Sequence, residues 1–129
     1  MPATVGSVLG LVCLLQIKHM FADYFLQTPR MLSGRGDYWH MGRAQHAGVH
    51  ALGSVLVFLA YGAPLGFIAV IAALEWVVHF NIDWGKARWS EMRKYDPTQA
   101  GYWRANGFDQ ALHHLTYLAM VWAWARFAV

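Results

Sequence analysis

The chain has 129 residues, of which 57% are hydrophobic and 13% charged, with a formal net charge of +3. Soluble domains carry about 25% charged residues, and one domain of this length has too little interior to hide so much apolar surface. The composition therefore excludes an ordinary soluble domain and points to an integral membrane protein with membrane lipids as partners. Nucleic acid is not expected as a partner, because the basic residues collect in two loops, and the lone Cys13 excludes an intramolecular disulfide.

The first apolar segment lacks the basic stretch and small-residue cleavage site of a secretory signal and is expected to stay in the mature protein. It predicts a span over about residues 4–27, apolar through Ile17 and polar in its last turns, with Pro29 stopping the helix. A loop with Arg30, Arg35 and Arg43 follows. Residues 44–61 and 65–84 form the second and third spans, divided at Gly62 and Pro64 because both residues are poor in helix interiors. A second basic loop holds Lys86, Arg88, Arg93, Lys94 and Arg104, with a short interfacial helix expected over 86–95 and breaks at Gly101 and Gly107. Residues 108–127 form the fourth span, opened by Asp109, where the helix dipole favours an acid.

The predicted fold is all-α, a four-helix transmembrane bundle. Eight of the 10 Lys and Arg residues fall in the two loops on one side. The positive-inside rule makes those loops cytoplasmic and puts both termini on the non-cytoplasmic side.

Ionisable residues recur at four-residue steps inside these spans: His19, Asp23 and Gln27; His46 and His50; Glu75, His79 and Asp83; Asp109 and His113. Such a step returns to one helix face. Counting the rise from the cytoplasmic ends puts His19 and Glu75 about 12–13 Å deep, His50, His79 and His113 about 8–9 Å, and Asp23 about 6 Å. All four ladders thus converge on one inner slab, although an acid at mid-membrane costs about 2.5–3.5 kcal/mol on insertion scales. Three readings compete. In the first, the groups satisfy one another and glue the bundle, although interhelical polar contacts average only about 0.6 kcal/mol. In the second they bind a metal, since imidazole and carboxylate suit zinc, iron and manganese, and His46-x3-His50 lets both rings reach one ion. The third is a proton or ion relay, against which the outer half of each span is bland.

Several neighbours carry plainer expectations. Lys18 is expected to snorkel to the inner surface from another helix face. His114 points away from His113, and His40 lies solvated in a loop. Lys86 is an interface anchor or a partner of Asp83, while Gln27 and Gln110 serve as second-shell donors or caps.

The motifs Lys18-His19-x3-Asp23-x3-Gln27, His46-x3-His50, Glu75-x3-His79-x2-Ile82-Asp83-x2-Lys86 and Phe108-Asp109-Gln110-x2-His113 together resemble a family of small bacterial and phage membrane proteins catalogued only as a domain of unknown function. The resemblance implies a helical protein of the bacterial inner membrane with a polar centre at these positions, and it supplies no activity. The working expectation is a metal-dependent hydrolase acting on a lipid or lipid-linked substrate. His46, His50, His79 and one of His19 or His113 bind a divalent metal, zinc before iron or manganese. Asp23 or Asp83 completes the shell, Asp109 has a weaker claim as ligand, and Glu75 is the general base. The alternatives are a metal-ion or proton-coupled transporter, a di-iron oxidase or desaturase-like enzyme, and a structural bundle. A homo-oligomer stays open, since small bundles often pair.

Overall fold

The computed structural model describes residues 2–129, and among them the secondary structure is entirely helical. Five helices follow in order: α1 (Val5–Tyr24), α2 (Pro29–Leu32), α3 (Met41–Ala60), α4 (Leu65–Arg93) and α5 (Ala100–Phe127).

Local chemistry sets most of the boundaries. Thr4 caps α1 through a reciprocal pair with Ser7: the Ser7 amide donates to Thr4 Oγ1 at 3.1 Å, and the Thr4 amide to Ser7 Oγ at 2.9 Å. The helix ends at Tyr24, short of the expected 27, and Pro29 opens a helix where it was expected only to stop one. Thr28 accepts from the Met31 amide at 3.3 Å and Pro29 fills the first helical position, where its missing N–H costs nothing. The tight turn before α4 is as expected, with Gly62 at φ +66.

Two expectations about the second basic region are corrected. The third span and the interfacial helix are one unbroken helix, α4, because a single Gly85 costs only about 1 kcal/mol. It stops where Lys94 turns left-handed at φ 53. Gly101 and Gly107 do not break the chain; both lie inside α5, so Asp109 sits well within that helix and the dipole cannot explain it. Between α4 and α5, Asp96 accepts from the amide and hydroxyl of Thr98, and these bonds hold its carboxyl below the usual range.

Helices α1, α3, α4 and α5 form a ring in which each touches two neighbours. The diagonal pairs, α1 with α4 and α3 with α5, make no backbone contact. Adjacent helices run antiparallel. One end of the bundle is dry, filled by Leu11 and Leu15, Phe58, Ile68 and Ile71, and Tyr117, Met120 and Trp124. The other end buries His19, His46, His50, Glu75, His79, Asp109 and His113. Between the halves, Lys18 reaches across the diagonal to Glu75 with Nζ 2.6 Å from Oε1. Gly53 makes that reach feasible, since a Cβ there would lie 2.5 Å from Lys18 Cγ.

The outward faces are apolar as well: Leu52 and Leu56 on α3, Val70 and Leu74 on α4, and Leu115, Leu118 and Trp122 on α5 are all exposed. Helices α1 and α4 are long and apolar enough to cross a membrane, and only 22% and 17% of their apolar windows are buried inside the protein.

Replacing Gly53 with Leu is expected to displace the Lys18 stem and destabilise the fold by about 1–3 kcal/mol, read as a lower thermal unfolding midpoint. The contrasting change is Gly66→Ala, where a Cβ meets nothing within 4 Å. It should raise stability by about 0.5–1 kcal/mol.

Candidate metal centre

Four helices deliver polar side chains to the wet end of the bundle, and the four-residue step keeps each ladder on the inner face of its helix. His79 on α4 is the hub. Its ring lies between those of His50, 3.9 Å away centroid to centroid, and His113, 4.1 Å away. His46 stacks edge-on against His50 at 4.8 Å.

Two carboxylates divide these rings between them. Asp23 Oδ1 is 2.9 Å from His50 Nε2 and 3.3 Å from His46 Nε2. Asp83 reaches His113 Nε2 at 3.0 Å through Oδ1, and His79 Nε2 at 3.1 Å and His46 Nε2 at 3.6 Å through Oδ2. Close as it is, His79 Nε2 is not aligned to hydrogen-bond and has no partner, although His79 is only 2% exposed. One ligand atom from each of Asp23, His46, His50 and His79 lies within 4.8 Å of the others, and a second such group joins His79, Asp83 and His113. A tetrahedral ion with ligands at about 2.0–2.1 Å has edges of about 3.3 Å, so the Asp23–His46 and Asp23–His50 separations fit a shared ion.

The remaining predicted residues fall around this core. His19 is in neither group, because both its ring nitrogens are committed: Nδ1 to the Tyr117 hydroxyl at 2.8 Å, Nε2 to Gln110 Oε1 at 2.9 Å and Asp23 Oδ2 at 3.1 Å. Gln110, expected as a second-shell donor or a cap, faces His19 with Oε1 and donates from Nε2 to Asp109 Oδ2 at 3.1 Å. Asp109 is 5% exposed, with Oδ1 lacking a hydrogen-bond partner 3.4 Å from His113 Nε2. Gln27 stands apart, accepting from Arg35 at 3.2 Å, and Lys86 reaches Asn106 at 3.5 Å rather than Asp83. His114 is exposed, while His40 caps α3 by accepting from the Gly42 amide at 3.1 Å.

Lys18 departs from its expected place. It does not snorkel; its ammonium donates to Glu75, to the His50 carbonyl at 3.1 Å and to the Tyr117 hydroxyl at 3.3 Å, using all three of its donors. Glu75 is therefore an ion-pair partner behind the histidines, with Oε2 buried and unpartnered. Tyr117 and Arg43 are further site-forming residues that sequence reasoning passed over. Arg43, expected in a loop, is 4% exposed and donates to the carbonyls of Tyr38, at 2.7 Å, and Phe80.

The cluster opens on one side through a polar vestibule of about 450 Å³, floored by Asp23, His46, Asp83, Asp109 and Gln110 and rimmed by Arg35, Lys86 and Tyr102.

Removing one partner of the buried ion pair leaves an uncompensated charge. Glu75→Gln and Lys18→Met should each destabilise the protein by about 3–5 kcal/mol. The double substitution should recover most of that loss in chemical denaturation, where additive losses would show that the two charges are not coupled.

No curated protein and no solved structure matches the chain. Residues 11–128, which hold every member of the polar cluster, match a family profile, and the chain belongs to the family described as Protein of unknown function (DUF3307).

Proposed function

We propose that the protein is a membrane-embedded, metal-dependent hydrolase. In this reading α1, α3, α4 and α5 cross the bacterial cytoplasmic membrane, with both termini outside and the basic loops in the cytoplasm. The apolar outward faces and the shallow burial of the α1 and α4 windows support this, because a core helix of a soluble protein would be mostly buried.

The observation that carries the metal reading is the convergence of Asp23, His46, His50 and His79 from three helices within 4.8 Å. Mutual satisfaction explains it less well, since the Nε2 atoms of His46, His50, His79 and His113 crowd onto only two carboxylates, Asp23 and Asp83, at their centre, and His46 Nδ1 is buried without a hydrogen-bond partner. The donor set suits zinc first, then iron or manganese. A bound divalent ion would polarise a substrate oxygen and lower the pKa of a water. The chain's own residues supply the rest. His19 and Gln110 orient Asp23 and Asp109. Lys18, Glu75 and Tyr117 back His50 and His19 from the dry side, so Glu75 positions rather than takes a proton. Asp109 is the better proton acceptor, because it faces the vestibule and Glu75 does not. Beyond the cluster and the Lys18–Glu75 pair, the far end of the bundle is filled by the apolar core, which supports an enzyme reached from one face over a transporter. A lipid or lipid-linked substrate follows from the site's depth.

Elemental analysis of purified, metal-replete protein is expected to find bound divalent metal that is lost, by at least tenfold in affinity, in His50→Ala and His79→Ala and kept in His114→Ala. At a free metal concentration of 100 Kd the ion should stabilise the wild type by about 2.7 kcal/mol, a thermal shift absent from His79→Ala. A metal-free wild type would sink the proposal.

Topology is tested with single cysteines in a Cys13→Ala background. A thiol at Gly62 should react with an impermeant reagent from outside intact cells, and one at Ser33 only after the membrane is opened. The reverse pattern, or equal labelling, contradicts the orientation.

A further inference from the structure

A second cavity, of about 460 Å³, lies beside the vestibule and shares Lys86 and Asp109 with it. It runs between α4 and α5 on the outside of the bundle, and its walls are apolar: Ile82, Trp89, Phe108 and Leu112. Trp89, Phe108 and Leu112 remain 46%, 74% and 47% exposed, so the groove faces outward along its length. Gly85 leaves the room, for a Cβ there would meet nothing within 4 Å. Two cations, Lys86 and Arg104, also line it, and among the described residues neither has a carboxylate partner in an ion pair. Lys86 makes one weak contact, to Asn106 at 3.5 Å. Asp109, the acid on the lining, is turned toward His113 at 3.4 Å.

A greasy outward-facing track with unpaired cations, ending on a buried acid of the polar cluster, suits an amphiphile. We propose that this groove binds a phosphate-bearing lipid, its chain along Ile82, Trp89 and Leu112 and its headgroup held by Lys86 and Arg104. The inference rests on the hydrolase reading for its purpose, since it supplies the track along which a lipid substrate reaches the vestibule. The binding itself needs no metal. Cations lacking acidic partners favour a phosphate monoester over a zwitterionic headgroup.

The test is quenching of tryptophan fluorescence in neutral-detergent micelles by phosphatidic acid brominated on its acyl chains. Phosphatidylcholine with the same chains is the control, and Trp89→Phe identifies the reporter. Saturable quenching by phosphatidic acid is expected, lost in Trp89→Phe. Arg104→Gln should weaken binding by about tenfold, and Gly85→Leu, whose Cβ meets nothing within 4 Å and whose side chain would occupy the groove, should abolish it. Equal quenching by the two lipids, or no change in Gly85→Leu, overturns the proposal. Metal content is measured in parallel: metal-free protein that still binds phosphatidic acid separates failure of the hydrolase reading from failure of this one.

Discussion

Lys18 and Glu75 come from helices whose backbones do not touch, so their 2.6 Å contact spans the bundle from one corner to the other. Burying two charges costs several kcal/mol per ion and is offset only when the remaining donors and acceptors are also met. Lys18 meets that condition, with Glu75, a main-chain carbonyl of α3 and the Tyr117 hydroxyl each taking one N–H. One lysine thereby ties together all four long helices at a single level. On the dry side of that level the chain needs only shape complementarity. On the other side every group has to be placed, and Tyr117 and the His50 backbone are the places from which that order spreads.

Much of this was legible in the sequence, and what was missed had local causes. The ladders, their common level along the bundle and the apolar end opposite them follow from helical periodicity and the 1.5 Å rise, quantities insensitive to detail. The five ligand-group residues from the first three ladders meet as that counting requires, and His113 joins through Asp83. The uses of Lys18 and Glu75 did not follow, although the same counting puts both about 13 Å from the expected ends of their spans. A basic residue beside a ladder was read by its own helix face, whereas its reach depended on Gly53 of a neighbouring helix. Ring nitrogens also cannot be allotted from spacing: His19 has the right step and depth, yet Tyr117 and Gln110 occupy both its nitrogens. The glycines of α4 and α5 misled in the opposite direction, because packing against neighbours outweighs a propensity cost of about 1 kcal/mol each.

The wet half is asymmetric in a way that matters for its use. Asp23 and Asp83 remain partly open to the vestibule while the histidines behind them are nearly sealed, with side-chain exposures of 17% and 28% against 0% for His50 and 2% for His79. Whatever enters meets Asp23, Asp83 and His46 first, and the sealed rings of His50 and His79 last. The rim carries both signs of charge, Arg35 and Lys86 beside Glu91, whereas the floor beneath it is acidic, with Asp23, Asp83 and Asp109.

Arg43 sits three residues before His46 and binds the carbonyl of Phe80, which directly follows His79. Its guanidinium also lies 3.9 Å above the Phe80 ring. The two helices that supply His46, His50, His79 and Asp83 are thus pinned against sliding at the level of the donors themselves. If the donors hold a metal, as proposed, that brace limits how far the two helices can part, and so favours ions with bonds of about 2.0–2.2 Å over calcium at about 2.3–2.6 Å.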